Sequence, residues 1–330
     1  MSIISNMSKH AANSFYHDRT VLVTGADGFI GSALALRLAE LGAHVRAATG
    51  PKKRMWRLGP PRENISIVDT DLSDSAVVLR MFDEAPVSIV FNAASSLDTG
   101  RSFDTFGPVL ESTYGIASAL LTASAKKGVQ KFVQFGSIEE YGANKAPFRE
   151  SDREEPFSPY SLGKTMATHA ALTVGRLTPM RVCVVRPAAT FGPAQNLGML
   201  IPNVIKAGLE GNDFNMNAGE QLRDFIYVDD VVEGVLLAGA REESHGEIIN
   251  LGSGSGRPVK EVVETVNAAM GKPISIHFGA EPYRPLDPME FYMDSTKAYT
   301  LLGWKPQTDI ASGIEKTVLW YRAQHAEAAE

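Results

Sequence analysis

The stretch TVLVTGADGFIG, residues 20–31, decides how the rest of the chain is read. TVLVT is apolar and rich in β-branched residues, the composition of a strand buried on both faces. From Phe29 to Gly42 the apolar residues of FIGSALALRLAELG recur at helical spacing, and a glycine closes the run. Gly25, Gly28 and Gly31 lie three apart at the junction. Such glycines allow a tight turn, close backbone approach to a pyrophosphate and close helix–strand contact, with the helix amino terminus facing the anion. The motif opens a helix directly after a strand, so a dinucleotide-binding turn is expected there.

Outward from that turn, short apolar runs alternate with helical stretches. AHVRAAT, ISIVDTD, SIVFNAA, KFVQFGS, MRVCVVRP and EIINLGS read as further strands. Continuous apolar strands separated by helices predict a parallel sheet covered on both faces. The expected fold is therefore α/β: a Rossmann-type doubly wound parallel sheet with a smaller C-terminal substrate-binding domain. The alternation breaks after Arg186-Pro187. The sheet domain is placed at 19–193 and completed by about 224–253, and 194–223 and 254–330 mainly form the substrate side. The first 18 residues lack an apolar signal core and are expected to be a flexible extension.

The 330 residues carry a formal net charge of −6 and are 44% hydrophobic, enough for a full core. No long basic run argues for nucleic acid, and no run of about 18 apolar residues argues for a membrane span. The single Cys183 lies in VCVV, a buried strand, so no internal disulfide is possible. The seven histidines show no paired spacing with carboxylates or cysteines, and no metal site is expected. A cytoplasmic protein is anticipated.

The acid that usually ends the second strand is missing. Thr49 stands there, followed by Gly50 and then Lys52, Lys53 and Arg54. A carboxylate would bind the ribose 2′-hydroxyl of NAD, whereas cations favour a 2′-phosphate, so NADP(H) is expected over NAD(H). Further on, Tyr160 and Lys164 in PYSLGK are one helical turn apart and share a helix face, 23 residues after Ser137. A phenol with an ordinary pKa near ~10 is acidified by a nearby ammonium, and could exchange a proton with a sugar hydroxyl or ketone.

Taken together, TGADGFIG, Asp71-Leu72, GSIEEYG, PYSLGK and RDFIYVDD resemble the extended short-chain dehydrogenase/reductase family, in its nucleotide-sugar epimerase/dehydratase/4-ketoreductase branch. The likeness runs from about Thr20 to Tyr321 and includes NLGSGS and LLGWKP. It implies that Ser137 hydrogen-bonds the reacting oxygen, that Tyr160 is the acid/base, and that Lys164 holds the nicotinamide ribose and acidifies Tyr160. Gly25, Gly28, Phe29, Ile30 and Gly31 match positions lining the cofactor diphosphate. Asp71 and Leu72 match positions at the adenine, Ala93 and Ala94 the loop after the fourth strand, and Pro187 a position beside the nicotinamide. Arg223 and Arg284 match arginines that hold the substrate diphosphate, for which guanidinium geometry is suited. The family's two-fold homodimer would use the helices near 105–126 and 157–176, with Leu110, Leu120, Leu121, Met166 and Leu172.

Bland readings stand beside these. Ser137 could cap a local turn, Asp71 could cap the helix of LSDSAVVLRMF, and Tyr141 reads as core. Ala189 and Ser112 replace asparagines usual in the family, removing expected substrate contacts. Among reactions, GSIEEYG resembles the corresponding segment of nucleotide-linked 4-keto-6-deoxyhexose reductases, which places reduction first. A 4-epimerase with tightly held NAD comes next. Glu139 stands where a 4,6-dehydratase keeps its glutamate base, but Ile138 cannot serve as that enzyme's aspartic acid. A non-catalytic dinucleotide sensor or scaffold would be expected to lack the tyrosine or the lysine; both are present.

Overall fold

The computed structural model describes residues 14–50, 55–96, 98–284 and 287–327. Lys52, Lys53 and Arg54, counted above toward cofactor choice, lie outside the described residues. Seven parallel strands form the central sheet: β1 (Thr20–Thr24), β2 (His44–Thr49), β3 (Ile65–Asp69), β4 (Ile89–Asn92), β5 (Lys131–Phe135), β6 (Arg181–Pro187) and β7 (Ile248–Leu251). Their order is β7-β6-β5-β4-β1-β2-β3, so the chain starts mid-sheet, winds one way to β3 and then returns past β1 to the other edge. The order reverses between β1 and β4, the crevice where open α/β sheets bind ligands. Central strands are buried on both faces because helices cover both; every residue of β4 and β5 is buried.

Residues 194–223 and 254–292 build small pairings outside the central sheet. There Leu222–Arg223 pairs with Arg257–Pro258 and Glu290–Phe291, and Phe214–Met216 pairs with Ile276–Phe278. Val204, Ile205, Val262 and Val263 from this part join Val231, Val235 and Ile249 in one apolar core, so the two parts share their hydrophobic interior.

Two expectations are corrected. Residues 14–18 are not a loose extension: Tyr16 is fully buried, and its hydroxyl donates to the Leu236 carbonyl at 2.6 Å. A ring of that size repays ordering of the segment, since burying a large apolar side chain contributes about 1.5–3 kcal/mol. Leu120, Leu121 and Leu172 face the sheet rather than a partner, being at most 9% exposed. Two aromatic rings lie outside there: Phe103 is 84% exposed and stacks on Phe106 with ring centroids 5.8 Å apart. Among the described residues, no helix is long and apolar enough to cross a membrane.

Candidate active site

The turn after β1 is built for close approach. Gly25 has φ +63°, and a Cβ there would lie 3.0 Å from the Ala94 backbone, so the Ala93-Ala94 loop packs directly on the turn. A Cβ on Gly31 would sit 2.1 Å from the Gly25 carbonyl oxygen. Gly28 is the N-cap of the helix Phe29–Glu40, and no side chain caps it, nor does any acid stand in its first turn. Its amide dipoles therefore face the crevice uncompensated, as an anion site requires. Thr24 Oγ1 donates to Asn92 Oδ1 at 2.7 Å, and Asn92 Nδ2 donates to Gln134 Oε1 at 2.9 Å, a buried polar chain across β1, β4 and β5.

Thr49 is fully buried at the end of β2, and its hydroxyl has no hydrogen-bond partner among the described residues. An orphaned buried hydroxyl there fits a ribose hydroxyl. Glycine cradle, open helix terminus and Thr49 together fit a nicotinamide dinucleotide. Asp71 is exposed and accepts from the Ser73 amide and hydroxyl, which hold its carboxyl below the usual range. The helix Ser75–Met81 is capped by Asp74 instead, which leaves Asp71 for another use. Leu72 is buried beside it, and Pro187 ends β6.

Ser137 follows β5 and does cap the short turn Ile138–Tyr141, accepting from the Glu139 amide at 3.1 Å. Its hydroxyl also meets that of Tyr160, which Ser95 approaches as well. Tyr160 stands in the first turn of the helix Pro159–Leu177, which Ser158 caps. Lys164, one turn on, is 3% exposed; its Nζ donates to the Phe135 carbonyl at 2.9 Å and lies 5.7 Å from the Tyr160 ring centroid. Burial brings the Lys164 ammonium down to about 8, against the opposing pull of the Glu140 carboxylate. The expected acidification of Tyr160 is not seen. Burial raises the phenol above its ordinary value, the Ser137 hydrogen bond opposes, and the Glu139 and Glu140 carboxylates add to the rise. At neutral pH the phenol holds its proton. Tyr141 is core: its hydroxyl donates to Asn250 Oδ1 at 2.7 Å and its ring stacks on Phe148.

Half-buried Glu139 faces Arg101, Arg223, Asp287 and Arg284; burial raises its carboxyl and the arginines pull it down. Arg223 NH2 donates to Asp287 Oδ1 at 2.8 Å and its NH1 to the Leu222 and Pro288 carbonyls. The second nitrogen thus rests on backbone, and the first on a protein carboxylate rather than lying open for a phosphate. Arg101 lies 3.8 Å from the same Oδ1, with its guanidinium over the Phe157 ring at 4.4 Å.

Reading from sequence missed four residues here. Ser95 and Arg101 sit in a loop without periodicity, Glu140 carries the same letter as the neighbouring Glu139, and Arg57 follows the basic segment. Arg57, 8% exposed, donates to the Asp27 carbonyl of the glycine turn at 3.0 Å and to the Ala194 carbonyl at 2.9 Å. Among the described residues, no group of three His, Cys, Asp or Glu side chains could hold a metal ion.

Comparison with known proteins gives a consistent picture. The model of the NAD dependent epimerase/dehydratase family matches residues 21–252. The UDP-glucose 4-epimerase of Mycolicibacterium smegmatis is 29% identical over 316 residues, covering 91% of this chain and 98% of that protein. The dTDP-D-glucose 4,6-dehydratase of Mus musculus is 29% identical over 320 residues, covering 92% and 89%. The crystal structure of the Thermotoga maritima UDP-glucose 4-epimerase with UDP-glucose superposes with a TM-score of 0.86 at 26% identity, covering 93% of this chain and 99% of that one. The NAD-bound dTDP-glucose 4,6-dehydratase DesIV of Streptomyces venezuelae gives 0.84 at 25%, covering 93% and 98%.

Proposed function

This chain belongs to the NAD-dependent epimerase/dehydratase family, and from that premise we propose that it is a nucleotide-sugar 4-epimerase. The observation that carries the choice is Ile138. It is 6% exposed and packed in the core, where a dehydratase needs a carboxylic acid to eliminate water, while Ser137, Tyr160 and Lys164 stand together. Oxidation and re-reduction at C4 need only those three groups. Tyr160, as its phenolate, would take the proton of the 4-hydroxyl while the C4 hydride leaves to the nicotinamide, and would return that proton to the 4-oxygen once the ketosugar presents its opposite face to the returning hydride. Ser137 holds the reacting oxygen, and Lys164 holds the nicotinamide ribose. The nicotinamide supplies a hydride acceptor and donor when bound.

NAD is the cofactor we propose first, held by Gly25, Gly28, Phe29, Ile30 and Gly31 at the diphosphate, Thr49 at the ribose, and Asp71 and Leu72 at the adenine. Because Thr49 offers no repelling carboxylate, NADP(H) is tolerated, and Lys53 and Arg54 would reinforce that tolerance. Arg223 and Arg284 hold the substrate diphosphate. We also propose a homodimer with the exposed Phe103–Phe106 pair inside the interface; a concentration-independent monomer mass by light scattering would reject it.

One observation favours a second reading. The Tyr160 phenol retains its proton, the state that reduction of a 4-ketosugar consumes, and GSIEEYG points the same way. The experiment separates them. The purified protein is incubated with UDP-glucose, UDP-glucuronate and dTDP-glucose and followed by proton NMR and by absorbance at the NADH band. Conversion to the 4-epimer without net NADH change supports the epimerase. NAD(P)H consumption only with a 4-ketosugar replaces it with the reductase.

A further inference from the structure

Behind Ser137 lies a buried ionic cluster that the chemistry above does not use. Glu140 and Arg186 are both fully buried, and Arg186 NH2 lies 2.7 Å from Glu140 Oε2 and 2.6 Å from Glu154 Oε1. The remaining Glu140 contacts are specific. Its Oε1 accepts the Ser137 amide at 2.8 Å, and its Oε2 accepts the Thr168 hydroxyl at 2.8 Å. Thr168 stands one turn beyond Lys164 on the same helix. One carboxylate therefore ties the Ser137 turn, the helix bearing Tyr160 and Lys164, and the end of β6 leading to Pro187.

Resting on the reading that Ser137, Tyr160 and Lys164 act on a nicotinamide, we propose that Glu140 is the positioning residue of this site: its carboxylate fixes the Ser137 backbone and supplies the counter-charge that Lys164 faces. Stability alone explains the cluster poorly, because a buried ion pair of this kind is commonly no better than an apolar packing of the same volume. The charges balance only when Lys164 is counted. Glu140 and Glu154 carry two negative charges and Arg186 one positive, and Lys164 completes the set. The other charged or titratable groups packed around Glu140 are Tyr160 from the helix, and Glu139 and Tyr141 from its own turn. His169 lies on the exposed side of Glu154 at 3.2 Å. The ammonium's partial retention against burial has Glu140 as its opposing cause.

The test is NADH binding by fluorescence titration from pH 6.5 to 9.5, which needs no sugar. In the wild type, affinity falls as pH rises through about 8 while Lys164 loses its proton, and Lys164→Met lacks that inflection. In Glu140→Gln the inflection moves lower by about one pH unit, as loss of a nearby opposite charge requires. An unmoved inflection, or a loss of affinity uniform across the range, overturns the proposal. Should Glu140→Gln fail to fold by circular dichroism, Glu140→Asp, which keeps the charge but withdraws it by one methylene, must still move the inflection lower, by less than one pH unit; no movement there overturns it equally. If the inflection moves yet no nucleotide sugar is epimerised, the inference on Glu140 stands and the epimerase reading falls.

Discussion

Asp287 Oδ1 lies 2.8 Å from Arg223 NH2 and 3.8 Å from Arg101 NH2, so one carboxylate is shared by two guanidinium groups. On the proposed reading, an incoming substrate diphosphate would have to take Arg223 from Asp287, and part of its binding energy would be spent on that exchange. Charge-assisted hydrogen bonds contribute roughly 1.5–3 kcal/mol each. Arg223→Ala should accordingly raise the substrate KM by about 10- to 100-fold, nearer the lower figure because Asp287 already competes. Cofactor affinity should hold, and UDP or dTDP should inhibit the wild type competitively but the variant poorly. Absence of competition by any nucleoside diphosphate at millimolar concentration would remove the nucleotide-sugar assignment.

Tyr160→Phe keeps the ring and loses the proton. General acid–base catalysis is commonly worth ~10²–10⁴-fold, and turnover should fall by that much. NADH affinity should stay within a few-fold of wild type by fluorescence titration. Turnover within a few-fold of wild type would show that another group moves the proton.

Lys164 makes stability depend on pH with a definite sign. Its folded pKa, about 8, lies below the 10.5 of the free side chain, so between those values the unfolded chain binds more protons and stability rises with pH. The burial cost is fully present below pH 8 and is relieved as pH climbs toward 10.5. In Lys164→Met that slope is absent. The unfolding free energies of wild type and variant should converge or cross by up to ~3 kcal/mol over this window in urea titrations, at 1.36 kcal/mol per pH unit. A constant difference would mean that the ammonium is not desolvated.

Tyr16 anchors the amino-terminal segment, with Leu236 and Phe91 as its neighbours. Removing residues 1–18, or substituting Tyr16→Ala, should destabilise the protein by about 3 kcal/mol, the cost of emptying a large aromatic site. Thermal melting would check it. An unchanged melting temperature would mean that the segment is dispensable.

What the sequence made legible follows from periodicity and local rules. The glycine turn, the parallel strands and the one-turn spacing of Tyr160 and Lys164 depend on neighbours in the chain, and they stand as read. Tyr16 escaped notice because Phe91 and Leu236, which pack on its ring and accept its hydroxyl, lie 75 and 220 positions on. Glu140 escaped because a Glu-Glu pair carries the same letters in solvent as in a buried cluster; only Arg186, 46 residues on, separates the two. The Tyr160 phenol was misjudged for a similar reason. Spacing puts Lys164 on the right face, but the depth of burial that raises the phenol is a tertiary property.

Arg57 has a thermodynamic consequence. Its guanidinium holds the Asp27 carbonyl in the glycine turn and the Ala194 carbonyl on the substrate side, where the backbone takes φ +66°. Whatever stiffens one of those loops lowers the entropy that the other must lose when its own ligand arrives. If dinucleotide and nucleotide sugar bind as proposed, occupancy of the two half-sites would thereby be coupled, and coupling is reciprocal: dinucleotide would raise the affinity for nucleotide sugar by the same factor that nucleotide sugar raises it for dinucleotide. With Arg57 cut back to alanine, the two ligands should come and go as strangers.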